Sequence, residues 1–207
     1  MAQNFNALQK ELPALKKLSN HAGAEGFFGQ ESLRFISTAG TLLDNFKCNK
    51  NSSIDERHFT HIIARSLIEN YFWIIYIFDD TSTKDQRYDE LVNSFKKQYV
   101  KLLNEPALPH KNKLEKANSS WSALPNPLDV KSMMAQIQNV HDDRLDYLYF
   151  IYRITSFDTH GKSLGNLAQE SFGKKSNFPL LDIGRAFELI ANEYLSVLAR
   201  LKKSGAI

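Results

Sequence analysis

The stretch SIDERHFTHIIARSLIENYFWIIYIF, Ser53 to Phe78, decides the fold class. Ser53-Ile-Asp-Glu56 has the form of a capping box, in which the serine hydroxyl and the glutamate carboxylate satisfy free amides at a helix start. A helix beginning there should reach about Phe78. From Tyr71 onward it is apolar on nearly all sides, which places Ile62–Phe78 at the centre of a helical bundle. The apolar run Tyr71–Phe78 is much shorter than the roughly 20 residues a membrane span needs, and Arg65 and Glu69 interrupt it upstream.

The flanking segments carry the same period. Phe5, Leu8, Leu12 and Leu15 recur at spacings of three and four, predicting a helix over residues 3–18 that Pro13 kinks or splits. Gly23-Ala-Glu-Gly26-Phe-Phe-Gly29 has the spacing of a phosphate loop, but no strand precedes it, so it reads as a hinge between helices. Helices are expected over 31–46 and, opened by the capping box Thr83-Lys-Asp-Gln86, over a fourth segment with Leu91, Phe95, Tyr99 and Leu102 on one side. Residues 104–128 contain Pro106, Pro109, Pro125 and Pro127 and read as a long excursion with one short helix near 111–117. A short helix at 129–138 and a longer, aromatic-dense one at 142–160 follow, the second starting at Asp142-Asp143, with Gly161 and Gly165 as stop signals. Residues 171–178 read as a loop, and 180–203 as the last helix.

Composition agrees. Hydrophobic residues are 43% and aromatics 12% of the 207 residues, enough for a packed core. Nine Gly and six Pro are too few for the turns of a sandwich or barrel. The expected fold is therefore all-α, an irregular up-and-down bundle forming a single domain over residues 1–207, with an N-terminal helix and glycine hinge in 1–29. Cys48 stands alone, so neither an internal disulfide nor a cysteine-cluster zinc site can form. With no basic-then-apolar leader in Met-Ala-Gln-Asn-Phe-Asn, the expected location is the cytoplasm, without a membrane partner. The net charge of +3 permits nucleic-acid binding without indicating it.

The segment with most chemical content is Tyr152-Arg153-Ile154-Thr155-Ser156-Phe157-Asp158-Thr159-His160-Gly161. Arg153 and His160 are seven apart and share a helix face, with Ser156 one turn from each. The histidine falls in the last turn, where the helix dipole favours imidazolium. An imidazole that moves a proton beside a guanidinium that holds a phosphate suits RNA cleavage by the 2′-hydroxyl. The bland reading is a helix-ending histidine bonded to a carbonyl. Arg65 and Glu69, i and i+4, form either an ordinary intrahelical pair or a support that orients Arg153 and His160. His58 and His61, i and i+3, could bind metal with Asp55 and Glu56; a solvated helix face is the preferred reading. Lys96-Lys97, Lys111–Lys116 and Lys174-Lys175 read as solvated surface or as guides for an RNA backbone. Trp73 reads as core and Trp121 as a docking anchor or a loop staple.

Arg153-x6-His160 resembles the Arg-x4-6-His motif of the HEPN superfamily. The pattern Tyr152-x3-Ser156-x3-His160-Gly161, with Ala64-Arg65-x3-Glu69 upstream, is similar to bacterial families associated with it. The resemblance implies a HEPN-like all-α bundle, face-to-face homodimers, and a metal-independent endoribonuclease with Arg153 and His160 catalytic and Ser156, Arg65, Glu69 and Tyr152 supporting. It implies no cofactor and no metal, RNA as substrate, and a role as a toxin or in phage defence, with an antitoxin or other protein partner. Ile154 stands where that motif often has a polar residue. This favours the alternative, a non-catalytic helical module of the same fold that binds RNA or a protein.

Overall fold

The computed structural model describes residues 3–49, 52–138, 144–161, 164–173 and 181–207. Among them there is no strand; the elements are α1 (Gln3–Lys10), α2 (Leu12–Leu18), α3 (Gly23–Asn45), α4 (Ile54–Ile77), α5 (Lys84–Leu103), α6 (Val130–Met134), α7 (Arg144–Thr159), α8 (Leu164–Phe172) and α9 (Ile183–Lys203). The fold is all-helical, and no helix of the described residues is long and apolar enough to cross a membrane. The chain reads as one domain in sequence; in three dimensions it divides into two compact units, residues 1–74 with 139–207, and residues 75–138.

The first unit is organised on α9. Ile183, Phe187, Ile190, Tyr194, Val197, Leu198 and Leu201 are buried at spacings of three and four, and the helix packs against α1, α3 and α7. Its aromatic centre is Phe35, whose ring meets Phe5, Phe187 and Tyr194 edge-on at 5.8, 5.8 and 5.3 Å, an arrangement that adds about 0.5–1.5 kcal/mol per pair beyond area burial. Glu188 accepts from the backbone amides of Asn4 and Phe5, tying the start of α1 to α9. The N-terminal helix does split, at Glu11, with Pro13 in the first turn of α2 where its missing amide costs nothing.

The glycine segment is not a hinge. Gly26 and Gly29 lie within the first two turns of α3, where the chain at 18–21 crosses it. A Cβ on Gly26 would fall 1.8 Å from the His21 carbonyl oxygen, and one on Gly29 would fall 2.5 Å from the Ser19 nitrogen. Close approach of backbone to backbone explains the glycines.

At the start of α4 the capping box forms: the Glu56 amide donates to Ser53 Oγ at 3.1 Å and the Ser53 amide to Glu56 Oε2 at 2.9 Å. The one expected at Thr83 does not. Thr83 makes no side-chain cap, and Gln86 donates instead to Glu90. Every residue from Tyr71 to Phe78 is buried as expected, but the expected buried stretch does not extend to Ile62, which is 39% exposed.

In the second unit, Arg87 is buried and donates to the Tyr76 carbonyl at 2.6 Å, with Asp79 at 3.4 Å, stitching α5 to the end of α4. The proline-containing excursion contains two 3-10 turns, Lys111–Lys113 and Ser119–Ala123, and is fastened to α5. Tyr99 donates its hydroxyl proton to the Glu115 carbonyl at 2.7 Å, and Lys97 donates to the Ser122 carbonyl at 2.5 Å. Trp121 meets Tyr99 edge-on and acts as a staple. The expected apolar side of α5 is not all covered: Phe95 is 64% exposed. What α5 buries instead is polar, Arg87 and Ser94.

Two further expectations change near the C-terminus. Gly165 lies inside α8 rather than stopping a helix, and Ser171 and Phe172 belong to α8 rather than to a loop. The expected helix start at Asp142-Asp143 and the basic pair Lys174-Lys175 lie outside the described residues.

Candidate functional site

Helix α7 carries the site, and its sequence sorts into three lanes. Leu148, Ile151, Thr155 and Asp158, spaced three, four and three, are buried. Tyr149, Tyr152 and Ser156 lie against α4. Phe150, Arg153, Phe157 and His160, spaced three, four and three, are exposed. The helix ends because Gly161 adopts φ 69° and donates to the Asp158 carbonyl, a left-handed stop that leaves His160 at the carbonyl end of α7. Among the described residues, neither Arg153 nor His160 has a side-chain hydrogen bond or ion pair.

Arg65 and Glu69 lie along α7, as the orienting reading requires, but they engage the neighbouring lane. Arg65 Nε donates to Ser156 Oγ at 3.0 Å, and its guanidinium lies over the Tyr152 ring, Cζ to centroid 3.5 Å. Its Nη1 pairs with Glu69 Oε2 at 2.5 Å. Ser156 in turn donates to the Tyr152 carbonyl at 2.8 Å. Phe72 packs edge-on against Tyr149 and Tyr152. The structure thus brings Arg65, Glu69, Tyr152 and Ser156 together, and it holds Arg153 and His160 one lane round on the solvent side. Burial, with the Glu69 carboxylate nearby, pushes the Tyr152 phenol above its usual range.

A second polar cluster was only half visible in the sequence. Asp158 receives both histidines of α4: His61 Nδ1 at 2.7 Å from Oδ2 and His58 Nδ1 at 3.3 Å from Oδ1. His61 and Asp158 are both buried, which overturns the solvated-face reading for His61. The available signal was the position of Asp158, an acid on the same lane as Leu148, Ile151 and Thr155. The metal reading gains nothing here. Glu56 is engaged in capping Ser53, His61 bonds the Asp158 carboxylate and His58 lies within ion-pair distance of it, and among the described residues no group of three His, Cys, Asp or Glu is arranged to hold a metal ion. The other ring nitrogen of His61 is Nε2. It is buried without a hydrogen-bond partner and lines a cavity of about 20 Å³ with Arg57 and Thr60, room for about one water. This cluster latches α4 to α7 beneath the exposed lane.

In comparisons with protein-family models, curated proteins and solved structures, nothing matches the chain.

Proposed function

We propose that the protein is a metal-independent endoribonuclease of HEPN-like type, working as a homodimer, with Arg153 and His160 as its catalytic pair. One observation carries the reading: an arginine and a histidine stand on a single solvent-exposed lane of α7, seven residues apart, with no side-chain partner among the described residues. A cation and an imidazole so displayed are available to an external polyanion. In the reaction the 2′-oxygen bonds to the adjacent phosphorus and the bond from phosphorus to the 5′-oxygen breaks. An imidazole takes the 2′-hydroxyl proton, an imidazolium protonates the leaving 5′-oxygen, and the guanidinium steadies the charge on the phosphoryl oxygens. Two facing α7 lanes in a dimer would supply one histidine for each proton transfer. Arg65, Glu69, Tyr152 and Ser156 act by fixing the rotation of α7. A toxin or defence role, with an antitoxin partner, and a cytoplasmic location belong to the same proposal.

The second reading is a non-catalytic module for RNA or protein. It is favoured by Phe150 and Phe157, 40% and 46% exposed beside the pair, which offer a docking surface. An RNA cleavage assay in EDTA separates the two. His160→Ala should slow cleavage by about 10²–10⁴-fold, and Arg153→Lys should fail to restore the two-pronged phosphate grip. Activity that needs a metal, or that survives His160→Ala, refutes the catalytic reading.

A further inference from the structure

Helix α5 leaves its apolar side uncovered around Phe95, and the rings there are arranged rather than scattered. Phe95 stacks on Tyr99, with centroids 5.9 Å apart and planes 21° apart. Tyr99 meets Trp121 edge-on at 6.4 Å. Lys96 Nζ sits 5.9 Å over the Trp121 ring. The hydrogen bonds from Tyr99 to Glu115 and from Lys97 to Ser122 hold the excursion against the helix, so the ring row is fixed in advance. Beside it runs an open groove of about 520 Å³ lined by Val100, Leu103, Asn104, Lys116, Asn118 and Ser119 among others. Its polar rim offers amide and hydroxyl groups.

The surrounding charge is one-sided. From Phe95 to Lys116 there are six lysines against two glutamates, Glu105 and Glu115. Lys101, Lys113 and Lys116 are exposed. A rigid aromatic row within a cationic surface matches a polyanion that carries flat, unpaired bases. We infer that the α5 ridge of residues 75–138 binds single-stranded nucleic acid, with bases stacking on Phe95 and lysines meeting the phosphates. A duplex keeps its base faces covered and can use only the lysines. The ridge is a binding surface in its own right and does not depend on cleavage at α7.

The test is fluorescence anisotropy of a short labelled oligouridylate titrated with the full-length protein in EDTA, with duplex RNA of equal length as competitor. Phe95→Ala should weaken single-strand binding by about 5- to 140-fold, the stacking energy of one base. Because Phe95 is exposed, the variant should keep the wild-type circular dichroism. Lys101→Ala with Lys116→Ala should flatten the dependence of log K on log salt by about 1.4, the loss of two phosphate contacts on a single strand. Lys203→Ala, an exposed charge on α9, should change neither. Absence of binding, a Phe95→Ala protein that binds like wild type, or a duplex that competes as well as single strands would each overturn the inference. Binding through Phe95 without any cleavage would sink the ribonuclease reading and leave this one standing. Cleavage with binding indifferent to Phe95 would do the reverse.

Discussion

His61 Nδ1 lies 2.7 Å from Asp158 Oδ2, and both side chains are buried. The pair joins the middle of α4 to the last turn of α7 at a distance typical of a charge-assisted bond. His58 reaches the other carboxylate oxygen from a half-exposed position. The geometry therefore ranks the two histidines. His61→Ala should cost about 2–3 kcal/mol, a fall in Tm of roughly 5–10 °C for a chain of this size. His58→Ala should cost less than about 1 kcal/mol, as exposed pairs do. Thermal denaturation of the two variants checks this, and the opposite order would show that the carboxylate is held from elsewhere.

Arg65 is bound by its shape as well as its charge. Its guanidinium faces the Tyr152 ring while Nε reaches Ser156 and Nη1 reaches Glu69. Lysine has no planar fork to do this. Arg65→Ala should destabilise by about 1–2 kcal/mol, and Arg65→Lys should recover less than half. In a double-mutant cycle with Ser156→Ala, the two losses should fall short of additive because they remove one shared bond. Strict additivity in urea denaturation would mean the contact contributes nothing.

Cys48 is an unreactive thiol. Burial, aided by the Glu56 and Asp182 carboxylates, pushes it up to about 11. The thiolate is the nucleophile, so the native protein at neutral pH should alkylate with iodoacetamide far more slowly than the unfolded chain. Equal rates with and without denaturant would contradict the buried position.

Tyr71 is fully buried, and its hydroxyl has no hydrogen-bond partner. Tyr71→Phe should therefore be neutral or stabilising by up to about 1 kcal/mol at pH 7, since it removes a desolvated hydroxyl without losing a bond. A loss of stability would reveal a hidden partner.

The alkaline limb of stability follows from Tyr76. Burial, with its hydroxyl donating to Glu90, pushes the phenol up to about 12. Its folded value lies above its unfolded value near 10. Its contribution is thus fully present below about pH 10 and is lost as pH rises toward 12. Tyr71, Tyr147, Tyr152 and Tyr194 are raised in the same direction by burial. Tyrosinate absorbance should lag at pH 10 in the native protein and rise together with unfolding. Tyr76→Phe should soften the decline, and a native titration matching that of the unfolded chain would refute the assignment.

Most helix positions were legible from residue type and spacing because they depend on local forces; α8, read as a stop and a loop, was not. The last helix, the capping box at Ser53 and the apolar run from Tyr71 all appear in the fold as the residues imply. The sequence also placed Arg153, Ser156 and His160 near one another on α7, since seven residues is close to two turns. It could not divide that face. Which of two neighbouring lanes meets α4 depends on how the helices rotate against each other, and side chains from distant segments set that rotation. The tertiary structure alone decided that Arg65 goes to Ser156 and Tyr152, that Asp158 gathers His58 and His61 across about a hundred residues of chain, and that Arg153 and His160 are left to solvent. It likewise decided that Gly26 and Gly29 serve a backbone crossing and that Phe95 stays uncovered. Such outcomes arise from close packing between segments far apart in sequence, where one chain's bulk or charge is met by another's. No local period carries that information.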